Sequence, residues 1–147
     1  MYLIFDTETT GLPRDYNAPI SDTSNWPRVV QLAWQLHEAD GTLVEQKDFL
    51  IRPDGFNIPF QSEQIHGIST ELATLAGEDL GDVLFLFKKA LEKADFIVGH
   101  NVRFDVNVMG CEYFRQAEET PLTLPILDTC TERTAELCQL PGGRGGK

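Results

Sequence analysis

Asp6 and Glu8 stand two residues apart in FDTETTGLP, residues 5–13, directly behind the apolar run at 2–5. In an extended chain, residues i and i+2 point to the same side, so the two carboxylates share one face. Side by side they repel each other unless positive charge lies between them. A shared proton, a basic side chain or a divalent cation held by hard oxygen ligands would each meet that need. A second acidic position lies in VGHNVRFD, residues 98–105. Here a strand ends at Gly99, Asn101 is placed to cap the next helix, and Asp105 lies one turn beyond it, facing back toward the strand end. In open sheets, ligands collect outside the carboxyl ends of strands. Three carboxylates meeting there suit a two-metal site, with cations ~3.5–4 Å apart that clamp a phosphodiester while one activates water. Taken alone, Asp105 is also explained as an acid favoured near a helix N-terminus.

Strands and helices must position these groups. Residues 2–6 read as a first strand and VVQLAWQLH, residues 29–37, as a second. The Asp40-Gly41 pair signals a hairpin, after which VEQKDFLIRP continues as a third strand until Pro53 stops it. Between 80 and 93, Leu80, Leu84, Phe87 and Leu91 recur at helical spacing, with Val83 on the same side. DFIVG at 95–99 is a fourth strand and 102–116 a helix with Phe104, Val108, Cys111 and Phe114 on one stripe. PILDT at 125–129 opens a fifth strand, and Asp128 reads as the cap of a helix starting near Thr131. A hairpin followed by strand–helix alternation makes an α/β fold with a mixed sheet covered by helices. The long polar connection 13–28, with three prolines, reads as a lid, a partner-binding element or a surface insertion. Trp26 within it either stacks on a base or partner or anchors the loop to its own domain, the commoner use.

Composition narrows the class. The chain of 147 residues is one domain, 1–147, with a hydrophobic fraction of 41% that excludes disorder. No apolar stretch approaches ~20 residues and no signal-peptide pattern opens the chain, so the expectation is a cytoplasmic protein with no membrane partner. Cys111, Cys130 and Cys138 are odd in number and lack metal-type spacing, which suits a reducing compartment and bland, buried or neutral thiols. The formal charge of −11 argues against a passive nucleic-acid coat, which needs basic patches. It does not argue against a nuclease that holds phosphate through metal ions, because such a site must itself be acidic.

Taken in order, FDTETTG, HGIS at 66–69 and GHNVRFD resemble the DEDD superfamily of 3′–5′ exonucleases, in the DEDDh branch that contains the epsilon proofreading subunit of bacterial DNA polymerase III. The resemblance runs from Tyr2 to about Cys138. It implies a ribonuclease H-like fold, a mixed five-stranded sheet flanked by helices, with Mg²⁺ or Mn²⁺ as cofactor. It also implies that Asp6 and Glu8 belong to the first motif and Asp105 to the second, as catalytic residues and metal ligands. By the same resemblance Thr9 and Gly11 approach the 3′-terminal nucleotide, with Leu12 near its base. Ile65 and His66 touch that nucleotide from the other side, Asn101 fixes its loop and Phe104 contacts a base. Ile65 and Phe104 have core packing as their alternative.

The family's third motif, a His followed by an Asp about five residues on, has no counterpart here, since no histidine follows His100. The general base and a fourth acidic ligand are then absent. The expectation is a domain truncated before its C-terminal helix, weak or inactive as a nuclease by itself, with uncovered apolar surface open to self-association. GGRGGK at 142–147 does not make a phosphate-binding loop, because Pro141 stands where that pattern needs Gly and no Ser or Thr follows Lys147; it reads as a flexible connector. The expected activity is hydrolysis of phosphodiester bonds at single-stranded DNA 3′ ends in proofreading or repair, with a replicative polymerase subunit as partner. The alternatives are an exoribonuclease on the same scaffold and a non-catalytic nucleic-acid or polymerase-binding module.

Overall fold

The structure is a computed structural model that describes residues 1–139; the glycine-rich tail at 142–147 lies outside the described residues. Its elements run β1 (Tyr2–Thr9), β2 (Val29–His37), β3 (Leu43–Leu50), α1 (Phe60–His66), α2 (Thr70–Ala76), α3 (Leu80–Leu91), β4 (Phe96–Gly99), α4 (Arg103–Arg115), β5 (Ile126–Asp128) and α5 (Glu132–Leu137). The five strands form one mixed sheet in the order β3-β2-β1-β4-β5. The β1–β2 and β2–β3 pairs are antiparallel, while β1–β4 and β4–β5 are parallel.

Alternation along the strands decides which side is packed. Leu3 and Phe5 of β1 and Leu32, Trp34 and Leu36 of β2 are buried in one cluster with Val83, Leu84 and Phe87 of α3 and Val108, Met109 and Tyr113 of α4. Phe87 is the hinge of this core, its ring 5.1 Å from Phe5 and 5.4 Å from Trp34. The alternate residues Ile4, Asp6, Glu8, Ala33, Gln35 and Val98 line a large open hollow instead. A smaller cluster of Val30, Ile58, Ile68 and Ala73 ties α2 and the α1–α2 turn to the sheet.

Local chemistry explains the element boundaries. In the β2–β3 hairpin Gly41 adopts φ 89° and Asp40 Oδ1 accepts from Thr42 N at 2.9 Å, the turn that Asp-Gly predicts. Asp79 caps α3 by accepting from Gly81 N and Asp82 N, and Lys88 and Lys89 occupy its last turn, where cations are favoured. Ser69 caps α2 through Leu72 N, and Gly67 closes α1 at φ 77°.

Several expectations need correction. β1 runs on from residue 6 to Thr9, because pairing with β2 continues through Glu8↔Gln31 and past a bulge to Thr9↔Val29. Helices α1 and α2 lie around HGIS, a stretch whose pattern was too short to declare them. Asn101 does not cap α4: the cap position is Val102, and Asn101 takes φ 57° while its backbone N–H donates to Asp128 Oδ1 at 2.8 Å. Asp128 therefore holds the β4 loop and not α5, whose cap is Thr131, accepting from Thr134 N. Phe114, expected on the inner stripe of α4, is 47% exposed. Trp26 is as expected of the commoner use: it is buried, its Nε1 donates to Pro19 O at 3.1 Å, and it anchors the long loop. Cys111 is buried, while Cys130 and Cys138 are exposed thiols.

Candidate active site

Asp6 and Glu8 project from the open face of β1, beside Ala33 and Gln31 of β2. Both line the same cavity of about 980 Å³, which also receives Asp105, His100, Asn101 and Phe104. β4 pairs parallel to β1, so the loop after Gly99 and the first turn of α4 emerge beside the carboxyl end of β1. That is the position at which open α/β sheets collect ligands.

Asp105 is buried, and its Oδ1 accepts two hydrogen bonds from Thr7, from the backbone N at 3.1 Å and from Oγ1 at 2.6 Å. Thr7 lies on β1 between Asp6 and Glu8, so this pair locks α4 to the strand that carries the other two acids. Burial pushes the Asp105 carboxyl up to about 6; the Thr7 hydroxyl pulls against this, and the neighbouring Asp6 adds to it. Burial also raises Asp6, opposed by the Thr7 backbone N–H and by His100. Glu8 is raised by burial first and by Asp6 second, while His66 lowers it. None of the three carboxylates is in an ion pair with a basic side chain among the described residues.

Two histidines surround the acids. Thr129 Oγ1 donates to Gly99 O at 3.1 Å, so in its 3.1 Å pairing with His100 Nδ1 the ring nitrogen is the donor. Ile68 N donates to His66 Nδ1 at 3.1 Å, which leaves the ring proton of neutral His66 on Nε2. That Nε2 is buried without a hydrogen-bond partner among the described residues. Neither Thr7 nor Thr129 was singled out from the sequence, since a threonine's partner across the sheet leaves no local signal. His100 had one, its place in GHNVRFD beside Asn101.

Of the other expected contacts, Asn101 and Phe104 line the cavity, whereas Thr9, Gly11, Leu12, Ile65 and His66 are not among its lining residues. Thr9 is buried and its hydroxyl donates to Gly11 O at 2.7 Å, while Gly11 takes φ 150°, a conformation open to glycine. Leu12 and Ile65 are 73% and 84% exposed, so Ile65 is not core. Phe104 packs against the main core from the edge of the cavity.

Behind the site lies a buried charge cluster that sequence inspection missed. Glu112 of α4 is fully buried; its Oε1 accepts from Arg28 Nε at 2.9 Å and Val29 N at 3.0 Å, and lies 3.1 Å from Arg115 Nη1. Arg115 also donates to Thr23 O, Trp26 O and Pro27 O, while Arg28 stacks on Phe56. Thr10, two residues beyond Glu8, donates its backbone N–H to Arg28 O and accepts from Arg28 N at its Oγ1, both at 2.9 Å. The cluster thus ties the long loop and the end of β1 to α4, the helix that holds Asp105.

The donor chemistry suits a hard divalent cation: three carboxylates, held above their usual range chiefly by burial, with no ion pair to a basic side chain among the described residues. Among the described residues no three His, Cys, Asp or Glu side chains are already gathered around one point to hold such an ion. Among the same residues no helix is long and apolar enough to cross a membrane.

Comparison with known proteins identifies the family and the fold. Residues 3–141 match the RNase_T family, described as Exonuclease, whose superfamily generally uses divalent metal ions. The chain is 32% identical over 130 residues to a DNA polymerase III PolC-type protein of Pediococcus pentosaceus, covering 88% of this chain and 8% of that protein. It is 31% identical over 128 residues to the PolC-type protein of Streptococcus thermophilus, covering 87% of this chain and 8% of that one. The chain therefore spans a small part of the curated relatives it matches. The fold matches E. coli Exonuclease I in complex with a dT13 oligonucleotide, with a TM-score of 0.70 at 22% identity, over 87% of this chain and 27% of that one. A product-bound structure of exonuclease I matches equally, with a TM-score of 0.70 at 22% identity, over 87% of this chain and 29% of the other. With the family match spanning nearly its whole length, this chain belongs to the RNase_T exonuclease family.

Proposed function

We propose that this exonuclease domain is a metal-dependent 3′–5′ exonuclease that removes nucleotides from single-stranded DNA ends in proofreading or repair. The observation that carries the proposal is that Asp6, Glu8 and Asp105 line one cavity with no ion pair to a basic side chain among the described residues. Asp6 and Glu8 would hold one Mg²⁺ or Mn²⁺, and Asp105 would contribute to a second. Bound there, the ions supply Lewis-acid stabilisation of phosphate charge and lower the pKa of water. The chain's own residues do the positioning. Thr7 fixes Asp105 through Oδ1, which leaves Oδ2 as the oxygen that would face a ligand. His66 Nε2–H is a buried donor for a phosphate or sugar oxygen, and Leu12 and Ile65 offer apolar surface to a terminal base. Thr9, Gly11 and Asn101 shape the backbone around that nucleotide.

The PolC-type names of the relatives support a replicative polymerase as the partner, and free thiols at Cys111, Cys130 and Cys138 fit work in the cytoplasm. The test is a 5′-labelled single-stranded oligonucleotide incubated with Mn²⁺, run beside a matched RNA. The expected product is a ladder shortening slowly from the 3′ end, since no histidine follows His100 to act as general base, on DNA in preference to RNA, absent with EDTA and in Asp6→Ala. Internal cuts, a preference for RNA, or cleavage that survives Asp6→Ala would each overturn the assignment.

A further inference from the structure

A second, smaller hollow of about 100 Å³ adjoins the carboxylate cavity, lined by Tyr16, Asn17, Asn101, Arg103, Phe104 and Asn107. Asn101 and Phe104 belong to both, so the two spaces share a wall. Tyr16 comes from the long loop, 51% exposed, with its ring centroid 6.5 Å from that of Phe104. It is held there by its neighbours. Asp15 N donates to Asn25 Oδ1 at 2.8 Å, Asn25 Nδ2 donates to Asp15 O at 2.9 Å, and Asn17 N donates to Asp15 Oδ1 at 2.8 Å. With Trp26 buried at the loop's base, the loop presents an aromatic ring on a prepared turn.

Arg103 is the second independent sign. It is the first residue of α4, where a cation opposes the helix dipole, and its guanidinium has no hydrogen-bond or ion-pair partner among the described residues. In a chain of net charge −11, Arg28 and Arg115 are both paired with Glu112, whereas Arg103 is exposed and lines the smaller hollow beside the acidic cavity. A residue set against a local rule without internal compensation marks a functional position. An exposed ring beside an uncompensated arginine is how proteins grip a single strand, one base stacked and one phosphate neutralised.

We infer that Tyr16, Phe104 and Arg103 form an accessory subsite for a second nucleotide of single-stranded DNA, next to the one held by the carboxylates. The inference rests on the exonuclease function proposed above. It assigns the long loop 13–28 to strand binding, with the base on Tyr16 and the phosphate on Arg103, and the amides of Asn17 and Asn107 at the base edge.

The test measures anisotropy of 5′-fluorescein-dT8 in Ca²⁺, with unlabelled thymidine 5′-monophosphate as competitor, for the wild type and for Tyr16→Ala, Tyr16→Phe and Arg103→Gln. Tyr16→Ala is expected to weaken dT8 binding about tenfold, with Tyr16→Phe like the wild type. Arg103→Gln should weaken it and lower the salt slope by about one. Competition by the mononucleotide should be the same in all four, and so should the melting temperature, because Tyr16 and Arg103 are exposed. Unchanged dT8 affinity in Tyr16→Ala overturns the subsite and leaves the exonuclease assignment standing. So does a loss of mononucleotide binding equal to the loss of dT8 binding, or a Tyr16→Phe protein as weak as Tyr16→Ala. A wild-type protein that binds neither probe overturns both proposals.

Discussion

Replacing Asp105 by Asn should stabilise the metal-free protein at neutral pH while destroying its response to metal. In the folded chain the Asp105 carboxyl titrates at about 6, against an ordinary value of 3.8. The native state therefore keeps a proton that the unfolded chain has released, so stability falls as pH rises from about 4 to about 6 and the penalty is complete above that window. Raising the carboxyl from 3.8 to about 6 corresponds to about 3 kcal/mol, an upper figure for the cost of ionised Asp105 at pH 7.5. Asn retains an Oδ1 that accepts both Thr7 bonds and carries no charge to desolvate. Urea unfolding in EDTA should therefore show Asp105→Asn more stable than the wild type by about 1–3 kcal/mol at pH 7.5, with the gap closing at pH 4. Added Mn²⁺ should reverse the order, because only the wild type gains a ligand. A variant less stable than the wild type in EDTA at pH 7.5, or a gap independent of pH, would refute the reasoning.

Three further outcomes follow from the same structure. Glu112→Ala leaves two arginines and the Val29 N–H without their shared acceptor, and should cost about 3–5 kcal/mol in urea unfolding. Mn²⁺ at a hundredfold excess over its Kd should stabilise the wild type by about 2.7 kcal/mol in thermal melts, and Asp6→Ala should abolish most of that gain. Trp26→Ala empties the buried base of the long loop and should cost about 3–5 kcal/mol, with protease sensitivity appearing within 13–28.

Much of the scaffold was legible because its signals are local. Alternating burial in β1 and β2, the Asp-Gly hairpin, and the 3.6-residue stripe of α3 all follow from residues within one element. Legibility failed where a competing partner lay far away. Asn101 has the composition of a cap, yet it takes a left-handed turn so that its N–H meets Asp128, 27 residues on. Asp128 is drawn away from α5 by the same bond. Phe114 keeps the helical period, but at that end of α4 the buried residues are Glu112 and Tyr113 and Phe114 is left 47% exposed.

The order of the elements and the chemistry they carry are legible in the residues alone: two acids on one strand face, a third after a strand end, and motifs that resemble an exonuclease family. Those are properties of type and spacing within a few residues. Tertiary structure alone decided the environment of those acids. Thr7 meets Asp105 across 98 positions of chain, and Arg28 meets Glu112 across 84. Only that closure buries Asp105 enough to move its titration to about 6. The reason is physical: a carboxylate's identity is written at one position, but its desolvation, countercharge and hydrogen bonds come from whatever the fold packs around it.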